Sequence, residues 1–211
     1  MNIFALDTNI KLAAQMHLDK HIVKMPIEYA QLLSTAHRLH DGHFEEHITP
    51  QGRRKKFWLL EGEKIIPGEW NGQPRLVIEN PVCYGLSHQN HPCAIWCRET
   101  IDNYNWLFDL LQETSAEYAH RYGRIHKTWT DVKDFLAAPP KNLKAIGLTQ
   151  LPQTMGEEFK VKDDPIKAYR NYYLGPKAAF AKWTNRTTPD WFKAGTKDFN
   201  VSNFERTNQL A

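Results

Sequence analysis

Residues 12–38 read LAAQMHLDKHIVKMPIEYAQLLSTAHR. His21, Lys24, Glu28, Gln31, Thr35 and Arg38 succeed one another at steps of three and four, the spacing that lines side chains up along one α-helix. Ile22, Val23, Ile27, Ala30, Leu33 and Ala36 spread over the other side as the expected packing face. Asp7, Thr8 or Asn9 can cap a helix starting near Ile10, and Asp19 is a second candidate cap. Pro26 lacks a backbone donor and is expected to kink, interrupt or restart the helix. Residues 10–40 therefore read as one bent helix or as two joined near Asp19, ended by Gly42. The polar ridge supplies the groups an enzyme or a nucleic-acid reader needs. A solvated helix face can present the same pattern.

Outward from this stretch, the strongest pattern lies at 92–122. Asn90 or His91 caps, Pro92 takes the first helical position, and Gly123 ends the run. Trp96, Ile101, Trp106, Leu107, Phe108, Leu110 and Leu111 predict a long, mostly buried central helix. Between the two helical regions, 57–60, 64–70 and 75–79 read as short strands, with Asn71-Gly72 as a hairpin turn. A shorter helix is expected at 130–138, then an extended connection over 139–163. Asp164-Pro165 opens another helix, Gly175-Pro176 breaks it, and a last helical stretch runs through Trp183. The fold expected is mainly α, a compact helical domain over 1–193 built around the long central helix. A small β-ribbon at about 55–80 sits within an insertion at 43–82, and 194–211 reads as a polar tail.

With 211 residues, of which 41% are hydrophobic, the chain can bury a real core, which excludes a disordered protein. A net charge of +3 is compatible with a polyanionic partner without requiring one. No apolar run spans a bilayer and no signal-peptide pattern opens the sequence, so a cytoplasmic location and no membrane partner are expected. Three cysteines, an odd number, argue against a disulfide scaffold.

Three constellations carry chemistry. The first is the ridge with its neighbours. Glu28 and Asp19 are candidate charge-stabilising or general-base carboxylates, His21 a candidate acid or base, and Lys20 or Lys24 a phosphate binder or amine nucleophile. The second is Cys83, His88, His91, Cys93 and Cys97, a thiolate and imidazole mixture that zinc accepts, although the spacing matches no usual zinc motif. No cofactor is required by the leading reading, and zinc is the alternative. Asn90 and His91 could instead hold an anion at a helix N-terminus. The third is basic and aromatic: Arg38, Arg98, Arg121, Arg124, His126, Lys127 and Arg170 for phosphates, Tyr169 and Tyr173 for bases. Arg53, Arg54, Lys55 and Lys56 beside Phe57 and Trp58 repeat that vocabulary at the entrance to the ribbon.

LAAQMHLDKHIVKMP resembles the first helix of the small phage-type pyrimidine-dimer DNA glycosylases, where a Leu-Ala-x-Gln start leads through a charged helix to a proline. HPCAIWCRETIDNYNWLFDLLQETSAEYAHRYGRIHK is similar to their central helix, with Glu117, Arg121, Tyr122 and Gly123 at its terminal corner. YRNYYLGPKAAFAKW and TPDWF are fainter echoes of their aromatic C-terminus, and the chain also looks like proteins of tailed bacteriophages. The resemblance implies action on DNA, with an N-terminal amine attacking the sugar C1′ and a first-helix glutamate, here Glu28, stabilising the intermediate. Asn2 disfavours removal of the initiator methionine, and the ribbon has no counterpart in the small enzymes. The expected function is a phage-type DNA enzyme acting on a base or its glycosidic bond, with duplex DNA carrying a flipped base as partner. A metal-dependent enzyme and a non-catalytic DNA-binding or host-interaction protein are the alternatives.

Overall fold

The structure, a computed structural model, describes residues 1–198. The first helical region is two helices, α1 (Ile10–Met16) and α2 (Asp19–His40). Asn9 caps α1 by accepting the Leu12 N–H at 3.0 Å, and His17 and Leu18 are extended between the two. Asp19 stands in the first turn of α2, where a negative charge favours the helix dipole. The break falls near Asp19, and α2 continues through Pro26.

Chain continuity is also broken at the expected central helix. Residues 92–122 divide into α3 (Pro92–Cys97) and α4 (Ile101–Tyr122). Thr100 is extended, forms a parallel bridge to Lys144, and caps α4 by accepting the Asn103 N–H at 3.0 Å. Asn103 fastens the corner by donating to the Trp96 carbonyl at 2.8 Å and to Thr149. A residue with extended backbone whose hydroxyl caps a helix cannot sit inside a continuous one, so the run is split at the buried Thr100. Thr100→Ala is expected to lower stability by about 1 kcal/mol through loss of this cap, read as a lower denaturant midpoint at unchanged slope. Gly123, at φ 68°, ends α4 as the sequence requires.

The insertion is two hairpins rather than one ribbon. β1 (His43–Ile48) pairs antiparallel with β2 (Arg54–Leu59), and β3 (Ile65–Trp70) with β4 (Gln73–Ile78), each as a two-stranded sheet. Asn71 and Gly72, at φ 48° and 75°, make the predicted turn. β1 has no strong apolar alternation, which hid it from the sequence. The remaining helices are α5 (Lys127–Leu136), α6 (Pro165–Leu174) and α7 (Asp190–Asp198). α5 starts earlier than expected because the His126 imidazole accepts the Thr128 N–H. Asp164 caps α6 as predicted. The helical stretch expected through Trp183 shrinks to a 3-10 turn at 178–180, and part of the expected tail belongs to α7; residues 199–211 lie outside the described ones.

The protein thus combines substantial helix with two small antiparallel sheets. α1 and α2 both pack on α4, and α3 and α5 close against α2. Leu18, Met25, Tyr29, Leu32 and Leu33 meet Tyr104, Leu107, Leu110 and Leu111 in one buried cluster. Val23 and Ile27, expected in the packing face, are instead exposed. Among the described residues, no helix is long and apolar enough to cross a membrane.

Candidate active site

The ridge of α2 does not stay on one kind of surface. Arg38 is fully buried at its far end. Its guanidinium donates to Glu63, to the carbonyls of Tyr84 and Trp58 at 3.0 Å and to that of Cys83 at 3.1 Å. Thr35, also buried, exchanges hydrogen bonds with the Ser87 backbone. Residues 83–87 are thereby laid along the ridge. The start of the ridge is covered too, because His21 is buried and its Nδ1 lies 2.6 Å from the Tyr173 hydroxyl. Between these ends Lys24 is exposed and pairs with the half-buried Glu28 at 2.8 Å.

His21 belongs to an aromatic nest with His17. Its ring stacks on Phe4 at 4.2 Å, and its Nδ1 shares a hydrogen bond with the Tyr173 hydroxyl. Burial, with the positive charges of His17, Lys177 and Lys24 adding to it, pulls the His21 pKa down to about 2. His17 donates from Nδ1 to the Ala13 carbonyl at 2.7 Å and accepts from the Tyr29 hydroxyl at 2.8 Å; burial pulls its pKa to about 4. Two neutral, enclosed imidazoles make a packing device. The acid or base role expected of His21 does not fit this setting.

Asp19 is similarly committed. It accepts from Arg121 at 2.9 Å and from the backbone and hydroxyl of Thr184. Arg121 is buried and also holds Glu117 at 2.6 Å and the Gln15 carbonyl, while Arg186 grips both Glu117 oxygens. This network locks α2, α4 and residues 184–186 together, so neither Asp19 nor Arg121 presents a charge to a ligand. Lys20 lies with its ammonium 4.4 Å over the Phe180 ring.

Glu28 has different company. Burial holds His91 below the usual imidazole pKa, the Met1 α-ammonium and His88 deepen that shift, and Glu28 opposes it. Burial raises the Cys93 thiol, and among the smaller influences Met1 lowers it while Glu28 raises it. The Met1 terminus, His88 and Glu28 thus all act electrostatically on His91. Asn2 pairs with Thr154 and fixes the segment that carries Met1. Leu86, His88, Gln89, Asn90 and His91 line a surface recess beside it.

Most of the expected nucleic-acid contacts are withdrawn. Tyr169 and Tyr173 are fully buried, and the Tyr169 hydroxyl donates to the Pro152 carbonyl. His126 is buried against the Val23 carbonyl, and Arg170 donates to the Leu6 carbonyl and to Asp7. Arg38 and Arg121 are consumed as described. Arg98 is half-buried, and burial lowers its pKa. Asn90, Arg124 and Lys127 are exposed, although Arg124 leans on Tyr118 and Lys127 pairs with Asp131 at 2.8 Å. The anion cradle expected at 90–92 is filled from within, since the His91 imidazole accepts the Cys93 N–H.

The zinc candidates are not assembled either. Cys83, Cys93 and Cys97 are buried thiols whose pKa values burial raises, and no group of three or more His, Cys, Asp or Glu suited to a metal ion occurs among the described residues. No protein-family model, curated protein or solved structure matches the chain.

Proposed function

We propose that the protein is a DNA-acting enzyme that works on a base or its glycosidic bond, with Glu28 as its central carboxylate. One observation carries this reading. Of the two carboxylates expected to act, Asp19 is held by the buried Arg121 and by the backbone and hydroxyl of Thr184, whereas Glu28 pairs with the exposed Lys24. The resemblance of residues 12–26 to the first helix of the phage-type glycosylases points the same way.

At C1′ the departing base takes the bonding electron pair and leaves positive charge on the sugar. A carboxylate beside that carbon stabilises the charge as it develops. His91, kept neutral near pH 7 by burial and using Nδ1 to cap α3, retains Nε2–H as a donor for the leaving base. Lys24 Nζ lies 2.8 Å from Glu28, and the Met1 α-amine acts electrostatically on His91. Once an amine has given a proton to solvent, its lone pair forms the C1′–N bond as the C1′–base bond breaks; loss of a second proton and cleavage of the C1′–O4′ bond then give the imine, which water hydrolyses to release the amine.

The test is strand cleavage and covalent trapping on ultraviolet-irradiated and abasic duplexes with borohydride present. Wild type is expected to cleave the strand and leave a reduced covalent adduct on the peptide bearing Lys24 or Met1. Glu28→Gln is expected to lose activity by about 100-fold or more with little change in stability, since glutamine keeps the shape of the side chain and an i,i+4 pair with the exposed Lys24 contributes only a few tenths of a kcal/mol. A wild-type enzyme giving neither adduct nor strand cleavage, or full activity in Glu28→Gln, would overturn the reading.

A further inference from the structure

The two hairpins carry features that the Glu28 site does not use. Along β1, Phe44, Glu46 and Ile48 alternate onto one face, opposite Trp58, Lys56 and Arg54 of β2. Phe44 is 51% exposed and Ile48 61%, well above what a supporting sheet face shows. On the second hairpin Trp70 is 61% exposed beside its turn, with the Arg75 guanidinium 4.8 Å from the ring centroid. Lys56 lies 5.7 Å over Phe44. Gln51, in the turn between β1 and β2, donates to the Pro74 carbonyl at 2.7 Å, so the two tips are held side by side.

The charges at these tips are unequal in their freedom. Glu46 is 3.5 Å from Arg54, and Glu45 is engaged by His43 and His47 at 3.1 and 2.6 Å. Glu69, which points to the other face from Trp70, is exposed. Among the described residues, Arg53, Lys55, Lys56 and Arg75 have no carboxylate within 4.0 Å. Unpaired cations beside exposed flat rings match the backbone and bases of an unpaired strand. Phosphates supply the counter-charge, and only unstacked bases offer their faces to aromatic side chains.

We infer that the two hairpins, joined at their tips, form a binding surface for single-stranded DNA, separate from the Glu28 site, with Trp70 beside its turn and Phe44 nearer the root as stacking platforms and Arg53, Lys56 and Arg75 as phosphate contacts. It rests on the proposed function only in taking DNA as the partner. A strand displaced near the reacting nucleotide would be held here while the base is treated at Glu28.

The experiment is fluorescence anisotropy with a fluorescein-labelled, undamaged oligothymidylate of about twenty nucleotides, on the full chain, across a salt series. Trp70→Ala is expected to weaken binding about tenfold or more, and Trp70→Phe to recover most of that loss. Arg53→Ala with Lys56→Ala is expected to lower the slope of log affinity against log salt by about 1.4, about 0.7 for each cation removed. Glu28→Gln should bind as wild type does, so failure of the catalytic reading would leave this surface intact, and the reverse. Wild-type affinity in both Trp70→Ala and the double variant overturns the inference. So does tighter binding to the matching duplex, or loss of heparin binding equal to the loss of oligonucleotide binding in Trp70→Ala, which would mark a general polyanion or structural effect.

Discussion

Arg38→Ala is expected to lower the free energy of unfolding by about 3–5 kcal/mol, the usual loss when one partner of a buried ion pair is removed. The guanidinium is fully buried and faces Glu63, itself buried, whose Oε2 also accepts the Leu60 N–H at 2.9 Å. Deleting the cation strands a carboxylate away from water and leaves the carbonyls of Trp58, Cys83 and Tyr84 without their donor. Replacing both ionic partners, as Arg38→Met with Glu63→Leu, removes the stranded charge. It cannot return those three carbonyls their hydrogen bonds, so recovery should be partial. Denaturant titration of the three proteins gives the comparison. A single-variant loss below about 1 kcal/mol would show that the pair is not the clamp described here. Because Arg38 ties α2 to the root of the hairpins and to residues 83–84, its removal should also loosen the arm bearing Trp70.

That clamp marks the limit of what the sequence makes legible. The steps of three and four from His21 to Arg38 correctly place six polar groups along one helix. They carry no information about which elements will cover that line. Residues 83–87 settle over its far end and α6 over its start, so Arg38 and His21 are buried while Lys24, midway, stays wet. Local signals fared better where the chemistry is local. Asn71-Gly72, Asp164-Pro165 and Gly123 each fix their own backbone, and each element boundary follows. Thr100 misled because a mid-run hydroxyl gives no sign that Lys144 will draw its backbone aside. The basic-aromatic residues of α4 and α6 illustrate the same limit. Arg121 and Tyr173 carry groups that suit DNA, yet Arg121 is held by Glu117 one turn away, and Asp19 and His21 are brought to Arg121 and Tyr173 from distant positions by the fold.

The aromatic nest makes acid stability a second strong prediction. His17 and His21 have folded-state pKa values of about 4 and about 2, both below the ordinary value near 6.5 that the unfolded chain restores. The folded state therefore binds fewer protons than the unfolded state once the pH is below about 6.5. A depressed folded pKa leaves stability whole above the unfolded value and removes it as pH falls. Each histidine takes about 1.4 kcal/mol per pH unit in that window, so the pair takes roughly 2.7 kcal/mol per unit down to pH of about 4. His21 continues alone below that. Across the window the loss is on the order of 5–7 kcal/mol, comparable with the whole stability of an ordinary domain. His37, buried and also lowered despite Asp41 at 2.9 Å, acts in the same direction. The expected result is a denaturant midpoint that is flat above pH 7 and falls steeply between 6 and 4.5. His21→Phe should keep the ring stack on Phe4, lose the hydrogen bond to Tyr173, and reduce the steepness by about one proton. A midpoint unchanged between pH 7 and 5, or a His21→Phe profile as steep as wild type, would contradict the neutral, enclosed imidazoles. It would also reopen His21 as a group able to exchange protons with a substrate.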